Sequence, residues 1–455
     1  MELHWIGVLI LVVIFALSGL RGLNLGVLAL VASFLLGCVV LGLPAKELLE
    51  GFPGDLFLVL VAVTFLFGIA RVNGTVDLLV GYAMAASRNR RAVIPWVLFV
   101  VTAGLCAAGA ASPAAIAIVA PIGMTFAIRQ GINPLYAGLM TANGAAAGAF
   151  APSGILGGIV LSTVHGQHLD VNSGALFAGT FVFNVAVAVL SWAVFGRSTV
   201  PVDAAGAKGT STGDGHGTSA TVVTTAAAGD GSATATATSR PAVAVADGVD
   251  TGSADVRTTP SAEQIATGIG IASLVVGATV FGLDTGFTAL TIAAVLALFF
   301  RETATSAMNE IAWPVVLLVC GIVTYVALLT HIGVVDSLGE LIAAIGAPLV
   351  ALLAMCYIAG VVSAFASTTA ILGALIPLSL PFLQTGALPV TVVVIALCAA
   401  ATVVDASPFS TGGALVVASA PPHLRAQTYR GLLLWGAAMC VLAPAAAWSV
   451  AAILS

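Results

Sequence analysis

Asp405 stands in "VVDASPFSTGG", Val403 to Gly413, at the end of a long apolar run. A carboxyl placed among apolar residues is expensive, and it is retained where it holds a cation, a proton or a ligand. Pro408 and Gly412 interrupt the helix at the same point. A helix that restarts exposes unpaired backbone N–H groups and a partial positive charge, which favours an anion. One stretch therefore joins a carboxyl able to take a proton or a sodium ion with a helix start able to take an anion. Asp405 is the candidate coupling group, with H+ or Na+ as the coupled ion. A sodium ion would sit between Asp405 and the backbone carbonyls of the break.

Three other stretches share this chemistry: "GAASPAA" (Gly109 to Ala115), "FAPSGILGG" (Phe150 to Gly158) and "ASTTA" (Ala366 to Ala370). The helix breaks fall at Pro113, Pro152, Gly154, Pro408 and Gly412, and the donors beside them are Ser112, Ser153, Ser367, Thr368, Thr369, Ser410 and Thr411. Asn143, in the run before Pro152, is a further candidate. No Lys or Arg falls within the apolar core, so an anion there is held by dipoles and hydroxyls. Each helix end contributes only about 0.3–2 kcal/mol, which suits a site that must also release. Each residue has a plainer alternative. Membrane Ser and Thr commonly bond their own backbone, prolines kink helices, and Asn143 could simply tie two helices together. Asp77 and Asp336 each follow a glycine as helix caps would, and His331 belongs at a solvated membrane surface.

The elements that position these residues follow from composition. Of 455 residues 60% are hydrophobic and 7% charged, with mean hydropathy +1.14. Too few charges exist to cover a water-soluble globule, so the chain is an all-α polytopic membrane protein. The opening "WIGVLILVVIFALSGL" lacks preceding basic residues and a cleavage pattern, and predicts a retained helix. Six scattered cysteines form neither a metal spacing nor a disulfide framework. Residues 199–263 turn to Thr, Ala, Gly, Ser and Asp without aromatics or periodicity, which predicts a disordered linker between a first membrane unit, 1–198, and a second, 264–455.

The two units repeat each other. "ASPAAIAIVAPI" (Ala111 to Ile122) aligns with "STTAILGALIPL" (Ser367 to Leu378), and "FAPSGILGG" with "ASPFSTGGA", at one offset (408 − 152 = 256). Upstream, Gly74 pairs with Gly333 (333 − 74 = 259) and Asp77 with Asp336. Spans fall near 5–21, 23–42, 55–72 (running on into an amphipathic stretch), 133–162 and 174–195, and the short pieces 92–109 and 113–128 form a hairpin that enters and leaves on one side. Five transmembrane helices plus one re-entrant hairpin per unit is an odd number of crossings, so the second unit is inverted. If "SRNRR" (Ser87 to Arg91) faces the cytoplasm, this scheme places all 14 Lys and Arg there except Lys46, as the positive-inside rule requires. Both termini then lie outside a plasma (inner) membrane, with the linker cytoplasmic.

Inverted repeats with broken helices indicate a secondary transporter working by alternating access. The plan of hairpin, broken span and closing span, repeated upside down with Ser/Thr-rich tips, resembles the ion transporter superfamily, which includes divalent anion:sodium symporters and citrate carriers. "GLNLGVLALVASFLLGCVVLG" followed by "FPGDLFLVLVAVTFLFGIARVNGT" is most similar to MatC-type dicarboxylate (malonate) carriers. The resemblance implies an elevator-type carrier of malonate or a C4 dicarboxylate. In the symporters the hairpin tips carry Ser-Asn-Thr against substrate carboxylates and cation sites; here the tips read "ASPAA" and "ASTTA", without the asparagine.

Rival functions are a sodium/proton antiporter using Asp405, or a citrate or other organic-anion carrier of the same superfamily. An intramembrane protease lacks its second aspartate or a partner base, and a channel would need pore-lining rings. The expected partners are the small dicarboxylate and the bilayer, with neither nucleic acid nor cofactor, and a homodimer is left open. The topology is testable by thiol labelling. A cysteine placed at Ser232 should react with a membrane-impermeant reagent only after lysis, and one near His165 in intact cells; labelling of both from outside would overturn the inverted scheme.

Overall fold

The computed structural model describes residues 2–21, 23–86, 90–165, 169–197, 260–334, 348–365, 368–379, 382–383 and 388–455. Ser367, Asp336 and the expected linker as far as residue 259 lie outside them. Among the described residues the architecture is helical throughout. The first part comprises α1 (Glu2–Arg21), α2 (Leu25–Ser33, running on as a π-helical stretch Phe34–Val40), α3 (Ala45–Glu50), α4 (Gly54–Val72), α5 (Thr75–Ala86), α6 (Ile94–Ala107), α7 (Ser112–Arg129), α8 (Pro134–Gly148), α9 (Ile155–His165) and α10 (Ser173–Phe195). After the linker come α11 (Ala262–Thr279), α12 (Thr285–Phe299), α13 (Arg301–Ala307), α14 (Trp313–His331), α15 (Pro348–Phe365), α16 (Thr368–Leu378), α17 (Val390–Val403), α18 (Thr411–Ser419) and α19 (Pro422–Leu454).

The boundaries follow local chemistry. Asn133 and Asn172 cap α8 and α10 through their side-chain oxygens. Ser261 and Gln264 form a reciprocal capping box that starts α11 at Ala262, slightly before the expected end of the linker. The expected run-on after residue 72 is instead a stop: Asn73 caps Thr75, and Gly74, at φ +76°, turns the chain into a separate α5. Its repeat partner Gly333 ends α14 at the same φ of +76°. Asp77 falls in the first turn of α5, where a carboxylate suits the helix dipole.

Among the described residues six helices, Val390–Ser419 with its internal break among them, are long and apolar enough to cross a membrane. Large apolar side chains on their outer faces are exposed, such as Val182, Leu434 and Ile453, as a lipid-facing belt requires. α7, expected as one arm of a hairpin, is itself long enough to qualify. It nonetheless doubles back on α6: the Arg91 guanidinium, just before α6, donates to the Gly131 carbonyl just after α7, so the two arms share a base.

Elements paired by sequence are paired in length and position. α4 and α14 are each 19 residues and begin 259 positions apart. The starts of α8 and α17, and of α9 and α18, are each 256 apart. Arg71 at the end of α4 pairs with Glu310, just ahead of α14, at 2.6 Å, while His331 at the end of α14 faces Glu47, just ahead of α4, at 3.7 Å. α4 and α14 therefore run in opposite senses.

The core is closed by small residues, because two apolar helices in lipid gain mainly from close approach. All 15 residues of α8 are buried. A Cβ on Gly148 would run into the Ala103 carbonyl of α6, and one on Gly321 of α14 into the Gly26 carbonyl of α2. Gly104 on α6 has open space. Gly148→Ala should therefore lose about 1–3 kcal/mol through overpacking, whereas Gly104→Ala should be neutral or gain up to about 1 kcal/mol of helix propensity. Thermal unfolding in detergent tests the contrast, and equal shifts for the two variants would refute the close crossing.

Candidate functional site

A cavity of about 450 Å³ lies where the interrupted helices meet, lined in part by Ser112, Pro113, Thr368, Thr369, Asp405 and Thr411. These come from both hairpin tips and from the second helix break. The first break contributes Ala149, Ile155 and Leu156. Ala149 and Asp405 are the residues matched by the repeat, so equivalent positions on one wall carry a methyl group in one unit and a carboxyl in the other.

Helix starts supply much of this lining, beside the C-terminal ends of α6, α8 and α17 at Ala110, Ala149 and Asp405. Ser112 to Ala114 open α7, Ile155 and Leu156 open α9, Thr368 and Thr369 open α16, and Thr411 opens α18. Two more were not foreseen from the sequence: Asn24 caps α2, and Ala312, Pro314 and Val315 begin α14. Six helix starts thus border one chamber, with no Lys or Arg among the described residues that line it. A polar residue just before the apolar run in "GLNLG" was the available signal for Asn24.

The starts are not equally open. Asn24 Oδ1 already accepts from the Gly26 and Val27 N–H groups at 3.0 and 3.3 Å, and its Nδ2 donates to the Pro314 carbonyl at 2.9 Å. At α18 the Ser410 hydroxyl accepts from the Gly413 N–H at 3.2 Å. α7 begins after Ala111 with no side-chain cap. Ser112 and Ala114, either side of Pro113, line the cavity. The Cys106 thiol donates weakly to Ser112 Oγ at 4.0 Å, leaving the serine proton for another acceptor.

Asp405 sits in a 3₁₀ turn, Val404–Ala406, between α17 and α18. It lines the cavity beside Thr368, and the Ser410 hydroxyl donates to its backbone carbonyl. The Thr368 hydroxyl bonds the Ser363 hydroxyl at 3.0 Å, which ties the second hairpin tip to α15. A Cβ added at Gly412 would stand 3.0 Å from the Asp405 carbonyl and 3.2 Å from Ile116, which keeps α18 close against the acid and α7.

The remaining candidates do structural work around the chamber. Asn143 lies outside the lining; its Nδ2 donates to Ser191 Oγ at 3.4 Å and joins α8 to α10. Ser153 donates to the Ala107 carbonyl at 2.6 Å and fastens the first break to the first tip. Ser410 donates to the Asp405 and Ser407 carbonyls and shapes the second break. Pro152 and Pro408 occupy the turns of the two breaks. A Cβ on Gly154 would meet the Ala149 carbonyl. Replacing the Ser410 cap by Ala should cost about 1 kcal/mol of stability, while Thr369→Ala and Thr411→Ala should stay within about 0.5 kcal/mol. Unfolding in detergent measures all three, and a Ser410→Ala variant as stable as the other two would refute the cap.

Residues 1–149 match the family described as the N-terminus of the dicarboxylate carrier protein MatC. The match covers about a third of the chain and ends at Ala149, on the cavity wall. It agrees with the resemblance read mainly from residues 1–160. No curated protein matches the chain. Together with the apolar helices, the match supports a multi-pass membrane transporter.

Proposed function

We propose that this chain is a secondary carrier of small dicarboxylates, malonate or a C4 dicarboxylate, driven by a cation gradient. The observation that carries this reading is the convergence of six helix starts on a chamber without Lys or Arg but with one carboxyl. Their partial positive charges favour an anion and hold it by contacts weak enough to release. One substrate carboxylate belongs at the open start of α7, on the Ser112 and Ala114 N–H groups and the Ser112 hydroxyl. The other belongs toward Thr369 and Thr411 across the chamber. About 450 Å³ falls within the range of small-molecule sites.

Asp405 supplies the coupling. An ionised carboxyl beside a dianion in low dielectric is strongly repelled, so the substrate enters when Asp405 holds a proton, or when a sodium ion bridges it to the carbonyls of the break. The opposed senses of α4 and α14 and the matched spacing of the breaks support two inverted units in a plasma membrane, moving the chamber between faces with the hairpins as gates. A sodium/proton antiporter would use Asp405 but has no need of helix starts aimed at an anion.

Uptake of labelled malonate, succinate and citrate into proteoliposomes under imposed proton or sodium gradients tests the class, and a preference for citrate would move the assignment to another organic-anion carrier. Ser112→Leu and Thr369→Leu should each raise the half-saturating concentration at least tenfold without lowering the unfolding temperature; unchanged kinetics in both would move the site elsewhere. Asp405→Asn should keep exchange of substrate across the membrane but lose accumulation under either gradient. A variant that still concentrates substrate would assign coupling to another residue.

A further inference from the structure

We propose that a second pocket, formed by Arg91, Ala92, Ile132, Tyr136, Trp192 and Gly196, binds the phosphate of an anionic phospholipid headgroup. It measures about 190 Å³ and lies where α6 begins, the α7–α8 turn passes and α10 ends, at the base of the first hairpin rather than at its tip. Three features point to this ligand.

The first is an unsatisfied donor. Tyr136 is 3% exposed, and its hydroxyl is buried without a hydrogen-bond partner while its side chain lines the pocket. A buried hydroxyl left in this way costs stability unless a ligand or water completes it. The second is charge. Arg91 lines the pocket and spends one donor on the Gly131 carbonyl, leaving its fork able to grip a phosphate. Arg90 and Arg197, next in sequence to the lining residues Arg91 and Gly196, and Arg129 at the end of α7 are all exposed, which adds positive charge at this end of the helices.

The third feature selects a lipid over a free anion. Trp192 is 51% exposed beside the pocket, and Val189, Leu190 and Val194 on the same end of α10 are exposed as well. An apolar surface that a lipid chain can follow therefore leads directly to the cationic pocket. Trp at a helix end marks the headgroup level of a bilayer, and basic pockets between transmembrane helices recognise anionic headgroups. Seated there, the phosphate would accept from Arg91 and Tyr136 and brace the hairpin base while its tip stays free to move.

The test uses the purified full-length chain and native mass spectrometry with phosphatidylglycerol and phosphatidylcholine of identical acyl chains. The wild type should retain one phosphatidylglycerol at least fivefold better than phosphatidylcholine. Arg91→Gln should lower that retention at least tenfold and Tyr136→Phe about threefold. Arg129→Gln, at the same end but outside the pocket, should stay within twofold of wild type. Phosphatidylglycerol, but not millimolar inorganic phosphate, should raise the unfolding temperature. Equal retention of the two lipids, equal losses for Arg91→Gln and Arg129→Gln, or equal stabilisation by free phosphate would each overturn the proposal. If Arg91→Gln does not fold, the near-isosteric Tyr136→Phe decides, and wild-type retention in it would overturn the proposal.

Discussion

Backbone N–H groups at a helix start have no partner within the helix, and hydrocarbon offers none. This constraint organises the centre of the molecule. A chain that only crossed the bilayer would place every start at the membrane surface, where water satisfies it. This chain instead brings six starts to one interior chamber, and the structure around that chamber accommodates their unmet donors. Some are closed internally: Asn24 for α2 and Ser410 for α18. α7 is left open toward the chamber, and the space beside it is shaped to admit something else.

Interior breaks are weak points, and the packing answers them. Glycines let the helices that lead into the breaks approach to backbone contact. Gly144 and Gly148 of α8 lie against the Phe99 and Ala103 carbonyls of α6, and Gly413 of α18 lies against the Ser407 carbonyl within its own break. Gly157 meets Ala151 in the first break as Gly413 meets Ser407 in the second. The hydroxyls that do not line the chamber serve the same purpose. Ser153 and Ser410 hold the breaks to their surroundings so that the lining residues stay in place.

Much of this was legible because proline, glycine and hydroxyl residues are conspicuous in so apolar a chain. The tips, the breaks and Asp405 were visible as interruptions, and the 256-residue offset recovers the starts of α8, α9, α17 and α18. Sequence could not distinguish a serine that lines the chamber from one that ties its wall, since Ser112 and Ser153 have the same chemistry and each stands next to a proline. Burial and direction decide it, and both depend on neighbouring helices. Asn24 and the start of α14 were hidden for a related reason. They begin ordinary spans, and nothing local reveals that those spans begin inside the fold. The pocket at Arg91 and Tyr136 was hidden more deeply, because its members lie far apart in the chain and meet only when α6, α8 and α10 converge.

The two units are not chemically equal, and the inequality has a physical consequence. A helix start without a side-chain cap, as at α7, leaves unmet donors and partial positive charge facing the chamber in low dielectric whenever substrate is absent. A symmetric chamber, with Ala149 and a second alanine at the matched position, would have only water to relieve it. Asp405 places one fixed carboxyl in that field, on the wall beside Thr368 and Thr411. On the carrier reading it serves as the anion of the empty state and must be neutralised by a cation as the dianion arrives. The chamber then never travels with its helix ends unopposed, and never with two sets of negative charge. One carboxyl is enough for both conditions, and a second, at Ala149, would compete with the substrate for the same helix starts.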